Sequence, residues 1–170
     1  MSERGSTGAT LTVIVVIVLG ICITCVLPLV NTAKKADNVS QNSLQTALTN
    51  FVNEECNKGA VYEEDFYKLI QEISGPNSYD VEMEISLVQE GEGKKTSQAV
   101  NRKNGYTVYY TSQVEETWDM NNGKFELGEG DKVYIYAKNT NTTMGTELES
   151  STNSDISSIM AEATATCTKK

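Results

Sequence analysis

Any chemistry in this chain must come from carboxylates, lysines, tyrosines or cysteines, because its 170 residues include no histidine. That removes the usual general base near neutral pH, His-dependent triads and His-containing zinc sites in one step. The densest carboxylates are Glu115, Glu116 and Asp119, and the turns Glu90-Gly91-Glu92 and Glu129-Gly130-Asp131 add more. Calcium prefers a ring of oxygens from one compact loop, and neither turn has EF-hand spacing, so a solvated acidic face is expected. Paired carboxylates also hydrolyse glycosides, but no two are singled out here as converging. The four cysteines divide two and two. Cys22 and Cys25 stand three apart inside an apolar run, where thiols share a helix face and act as small packing groups. Cys56 and Cys167 lie in the polar remainder, as a disulfide in an oxidising compartment or as two separate buried residues. No residue qualifies as catalytic, and no metal or cofactor is implied.

The elements that would position these groups begin with GATLTVIVVIVLGICITCVLPLVNTAKKA, Gly8 to Ala36. No charge falls between Gly5 and Ala33, and Ala9 to Val30 makes roughly 33 Å of helix, enough to cross a ~30 Å hydrocarbon core. The run is too long for the core of a cleavable secretory signal, and the text after it is a poor cleavage site. A retained span is therefore expected. Arg4 precedes it while Lys34 and Lys35 follow, so the flanking charges do not favour a cytoplasmic N-terminus. The composition of the remainder instead places the C-terminal domain outside the cell. Pro28, near the outer end of the run, lacks an amide donor and is expected to bend or loosen the helix.

Beyond Pro28 the helical pattern resumes, with Val39, Leu44, Ala47, Leu48, Phe51 and Val52 forming one apolar stripe up to a stop at Gly59. A short helix, EEDFYKLIQEIS, follows. YDVEMEISLV, GYTVYYTS, DKVYIYAKN and ISSIMAEATATCT read as strands, with SQVEETWDM a short helix or a connection and Asn121-Asn122-Gly123 a turn. QEGEGKKTSQAVNRKNG and NTNTTMGTELESSTNSD read as loops. The fold class is α+β: a long N-terminal helix, membrane span first and amphipathic second, packed on a small, mostly antiparallel sheet of about four strands. The chain divides into a leader (1–8), a transmembrane helix (9–30), an amphipathic extension (31–58) and an extracytoplasmic head (59–170). A net charge of −9 without a basic, aromatic-interleaved stripe makes nucleic acid a poor partner. Tyr106, Tyr109, Tyr110, Tyr134 and Tyr136 alternate across strands, so some must be exposed, as an adhesive or assembly surface or simply through strand propensity.

A polar leader, a greasy helix, its amphipathic extension and then a sheet resemble the type IV pilin superfamily. More narrowly, RGSTGATLTVIVV, LQTALTNFVNEECNKGAVYEEDFYKLIQEIS, YDVEMEI, GEGDKVYIYAKNTNTT and MAEATATC resemble the TadE-like pilus-associated proteins of clostridium-like Gram-positive bacteria. The resemblance implies a minor pilin or pseudopilin of a tight-adherence-type pilus or secretion machine, with other pilin-like subunits or the machinery as partners. It also implies cleavage after a small residue, here Gly5 or Gly8. The glutamate that such pilins carry about five residues after that point is Thr10 or Val13 here, which leaves an uncleaved, membrane-anchored accessory protein equally open. Two rivals stand beside this expectation: a single-pass anchored extracellular binding or sensor domain, and a surface hydrolase using carboxylates.

Overall fold

The apolar and amphipathic segments join into one helical rod. In the computed structural model, which describes residues 4–75, 77–88, 101–103, 105–143, 147 and 158–168, α1 spans Arg4–Ile21 and α2 spans Leu27–Lys58. Between them Cys22–Val26 form a π-turn. Pro28 has no amide to give to the Thr24 carbonyl, and the wider π-turn directly before it keeps the rod helical across that defect. The rod ends where Gly59 takes φ +72°, a left-handed conformation that closes the helix by donating its N–H to the Glu55 carbonyl at 3.0 Å.

The head follows as β1 (Ala60–Tyr62), α3 (Glu63–Ile73), β2 (Tyr79–Leu87), β3 (Asn101–Lys103), β4 (Tyr106–Tyr110), α4 (Thr111–Met120), β5 (Lys124–Glu126), β6 (Lys132–Asn139) and β7 (Met160–Thr166). Three acidic residues, Glu63, Glu64 and Asp65, open α3, where the helix dipole favours negative charge. The main sheet has the order β3-β4-β2-β6-β7, every neighbour antiparallel. β1 and β5 pair separately, with Val61 opposite Phe125.

The strand total therefore exceeds the four expected from sequence. β1 and β5 are three residues each, too short to show alternation, and β3 lies within a polar stretch read as a loop. The rest of the predicted 89–105 loop, apart from Gly105, lies outside the described residues, as does most of the later one.

Register explains how the rod meets the sheet. Val81, Ala137 and Ala161 form one cross-strand row, Met83, Ile135 and Ala163 the next, and Ile85, Val133 and Ala165 a third. The row ends on β7 are all alanine, so backbone and helix can approach closely there, and α2 lies along β7. Leu44, Leu48, Phe51 and Val52 of α2 are buried in the resulting core with Met83, Ile85 and Ile135. Val39 departs from the expected stripe and is exposed: Ala33, Leu44 and Leu48 mark the covered face of α2, and Val39, five residues before Leu44, projects about 140° away from it. Phe66 and Trp118 pack with ring centroids 5.5 Å apart, and Tyr109 meets Phe125 at 5.4 Å.

Candidate membrane segment and its attachment to the head

Along the first part of the rod the side chains have no protein to cover them. From Gly8 to Leu29 each residue whose side chain is described is exposed, including Leu11, Ile14, Val16, Ile17, Leu19, Ile23 and Leu29. A surface this apolar, on a helix this long, is sufficient to cross a membrane. Its few polar side chains are answered within the helix. Thr12 Oγ1 donates to the Gly8 carbonyl at 2.9 Å, Thr24 Oγ1 to that of Gly20 at 2.8 Å, and Thr32 Oγ1 to that of Pro28 at 2.8 Å. In hydrocarbon, where no water is at hand, such back-bonding removes the cost of a bare hydroxyl. Cys22 and Cys25 are exposed free thiols at the π-turn. Gly5 and Gly8, the candidate processing residues, both lie within α1, and nothing stands within 4 Å of a side chain built at Gly8.

Polar stitching then ties the upper rod to the head. β7 is an edge strand, and the α2 side chains Gln41 and Gln45 donate to its Met160 and Glu162 carbonyls at 3.5 and 2.8 Å. Edge carbonyls occupied in this way are closed to pairing with another chain. Lower down, Thr143 Oγ1 donates to Asp37 Oδ2 at 3.0 Å. At the top, Cys56 and Cys167 are paired, their Cα atoms 4.6 Å apart across 111 residues of sequence. Cys167 is itself held in a backbone ladder, donating its N–H to the Asp131 carbonyl and accepting from Gly130 N–H, both at 2.8 Å.

Beside that junction sits a charge group that sequence reasoning missed. Glu55 is fully buried, although it occupies one position in a run of polar helix residues. Its Oε2 accepts the Tyr62 N–H at 2.8 Å and its Oε1 faces Lys58 Nζ at 2.5 Å; Lys58 also meets Asp65 Oδ2 at 2.7 Å. Burial raises the Glu55 pKa above the ordinary 4.5, against the opposing pull of Lys58 and the Tyr62 amide. Burial works against the Lys58 charge too, but hydrogen bonds to Asp65 and Glu55 outweigh it and leave that pKa raised. Hydrogen bonding to Lys58 holds Asp65 below its ordinary 3.8.

These directions set the acid response of the head. A carboxyl whose folded pKa is raised favours unfolding as pH climbs through the window above 4.5, so acidification toward that value recovers stability. Asp65 acts oppositely: its contribution is present above 3.8 and is lost as pH falls below that. Denaturant midpoints measured from pH 7.5 down to 3 should therefore rise and then fall, and Glu55→Gln should remove the rise while leaving the fall. A rise of equal size in the variant would contradict the assignment to Glu55.

The carboxylates first singled out do not converge. Glu115, Glu116 and Asp119 are exposed on α4. Asp131 is buried and accepts the Val88 N–H at 2.8 Å and the Gly128 N–H at 2.5 Å, so it ties its own turn to the end of β2. Glu90-Gly91-Glu92 lies outside the described residues. Among the described residues no three His, Cys, Asp or Glu side chains could hold one metal ion. Tyr109, opposite Ile85 on the inner face, is wholly buried, whereas Tyr110 is exposed and Tyr134 and Tyr136 are half-buried on the outer face. Comparison with protein-family models, curated proteins and solved structures gives no match.

Proposed function

We propose that this chain is a non-enzymatic, membrane-anchored, pilin-like subunit, a minor pilin or pseudopilin, that takes part in assembling a tight-adherence-type pilus or a related secretion apparatus. The observation that carries this reading is that the exposed apolar rod and the spine of the head are one helix, Arg4 to Lys58, interrupted only by the π-turn. A simple tether needs no helical continuity between bilayer and domain, whereas a subunit that packs through its rod needs the head held rigidly upon it. The Cys56–Cys167 pairing supports a head on the oxidising side of the membrane.

Two measurements test this. An arginine at Val18, near the middle of the span, costs about 2.5–3.5 kcal/mol for insertion, so V18R should move most of the protein from the carbonate-resistant membrane fraction to the soluble or aggregated one. Retention of V18R in the membrane at the parental level would show that the rod is not a span. Exchanging Ala9–Val30 for an unrelated apolar helix of equal length should preserve anchoring and abolish co-purification with pilus or secretion components. Full retention of that association would instead favour an anchored binding or sensor domain.

A further inference from the structure

The outer face of the sheet, turned away from α2, carries an ordered set of tyrosines and glutamates. In one cross-strand row Tyr110, Glu84 and Tyr134 are direct neighbours; in the next, Glu82, Tyr136 and Glu162 are. Tyr134 Oη donates to Glu162 Oε2 at 2.7 Å, which fixes that ring; burial and the neighbouring carboxylate push its pKa up to about 12, so the phenol stays neutral. β4 leaves the sheet at Tyr110 by turning into α4, and the Thr111 hydroxyl takes over the β2 ladder by accepting the Met83 N–H at 2.7 Å. The departure opens a depression of about 430 Å3 whose walls include Glu82, Glu84, Tyr110 and Tyr134.

Among the described residues no lysine or arginine pairs with Glu82, Glu84 or Glu162. The same face shows what it does with a cation. One row further along, Lys132 Nζ sits 4.5 Å from the centroid of the Tyr106 ring. Tyr110 and Tyr134 stand on either side of Glu84, two strand spacings or roughly 9–10 Å apart at the backbone. That separation admits a guanidinium or ammonium between two rings with a carboxylate beneath it, which is cation–π attraction joined to charge pairing.

We propose that this face is a docking surface for an arginine- or lysine-bearing protein segment, whose cationic side chain enters the depression between Tyr110 and Tyr134 above Glu84. The charge of the face selects the sign of the partner and the rings select a cation with a dehydratable surface. The inference deepens the assembly reading by naming what a neighbouring component must present, and it rests on that reading only for the source of the segment.

The test uses the full chain in detergent micelles and an acetylated, amidated tetra-arginine peptide, with affinity measured by calorimetry at low and physiological salt. The double variant Glu82→Gln/Glu84→Gln should bind about tenfold or more weakly, and Tyr134→Ala several-fold more weakly while Tyr134→Phe stays near the parent. Glu115→Gln/Glu116→Gln removes the same charge from exposed α4 and should change affinity by less than about twofold. Equal losses in the two double variants would mean that only net charge attracts the peptide, and absence of binding by the parent would equally overturn the proposal. Tetramethylammonium or calcium binding at the depression without peptide binding would replace the protein segment by a small cation. Failure here leaves the outcome of the span exchange untouched, so the two readings fail separately.

Discussion

Breaking the Cys56–Cys167 link should lower the melting temperature of the detergent-solubilised chain by roughly 10–20 °C, equivalent to about 2–5 kcal/mol. The size follows from topology. The two cysteines lie 111 residues apart, one in the last turn of α2 and the other just past β7, so the bond closes a loop that holds almost the whole head. Without it the unfolded chain gains the freedom of that loop, and loss of the bond also frees the C-terminal strand to fray from an edge. Thermal scans with and without reductant, together with Cys56→Ala/Cys167→Ala, check the expectation. The alanines remove little volume, so agreement between reduced parent and variant assigns the loss to the cross-link and not to packing. Identical melting in all three would show that the link contributes nothing.

Trp118→Ala should cost about 3–5 kcal/mol, the largest effect expected of any single core substitution here. Trp118 is 1% exposed, lies against Phe66, and donates its indole N–H to the Val61 carbonyl at 3.0 Å. It thus joins α4, α3 and the short β1–β5 ladder at one point. Truncation leaves both a cavity and a buried carbonyl without its partner. Trp118→Phe keeps most of the packing and loses the hydrogen bond, so it should fall about 1–3 kcal/mol below the parent. Denaturant titration at fixed pH separates the three proteins, and a loss below about 1 kcal/mol for the alanine variant would show that β1–β5 does not depend on this anchor.

What the sequence discloses depends on length and period. Twenty-two uncharged residues followed by a stripe at helical spacing leave little choice but a long helix, and the alternation in Tyr79–Leu87 leaves little choice but a half-buried strand. Ile159, Ala161, Ala163, Ala165 and Cys167 recur at alternate positions and read as one face for the same reason, and that face does turn inward, with Ala165 only partly buried. The short ladder was not legible. Ala60–Tyr62 pairs with Lys124–Glu126 through three residues a side, held by Trp118 from α4, the helix directly before β5, and neither segment carries a period of its own. Tyr109 and Tyr110 are adjacent and chemically alike, so only register decides that the first is core and the second surface. Glu55 looked like one more polar helix residue, and its burial depends on the chain turning back at Gly59 to set the Tyr62 amide against it. Asp131 looked like one more member of an acidic turn, but its carboxylate accepts one amide of that turn, Gly128, and one from just past β2, Val88.

The continuous helical passage from α1 through the π-turn into α2 has a consequence for how the head faces its surroundings. With helix running all the way from the apolar segment to the domain, the azimuth and height of the head are phase-locked to that candidate span. Each residue added or removed between Thr32 and Asp37 would turn the head by about 100° and shift it by about 1.5 Å. A whole turn gained would nearly restore the facing and change only the height. The molecule therefore carries its outward heading as a count of residues, set by the spacing between Pro28 and Gly59.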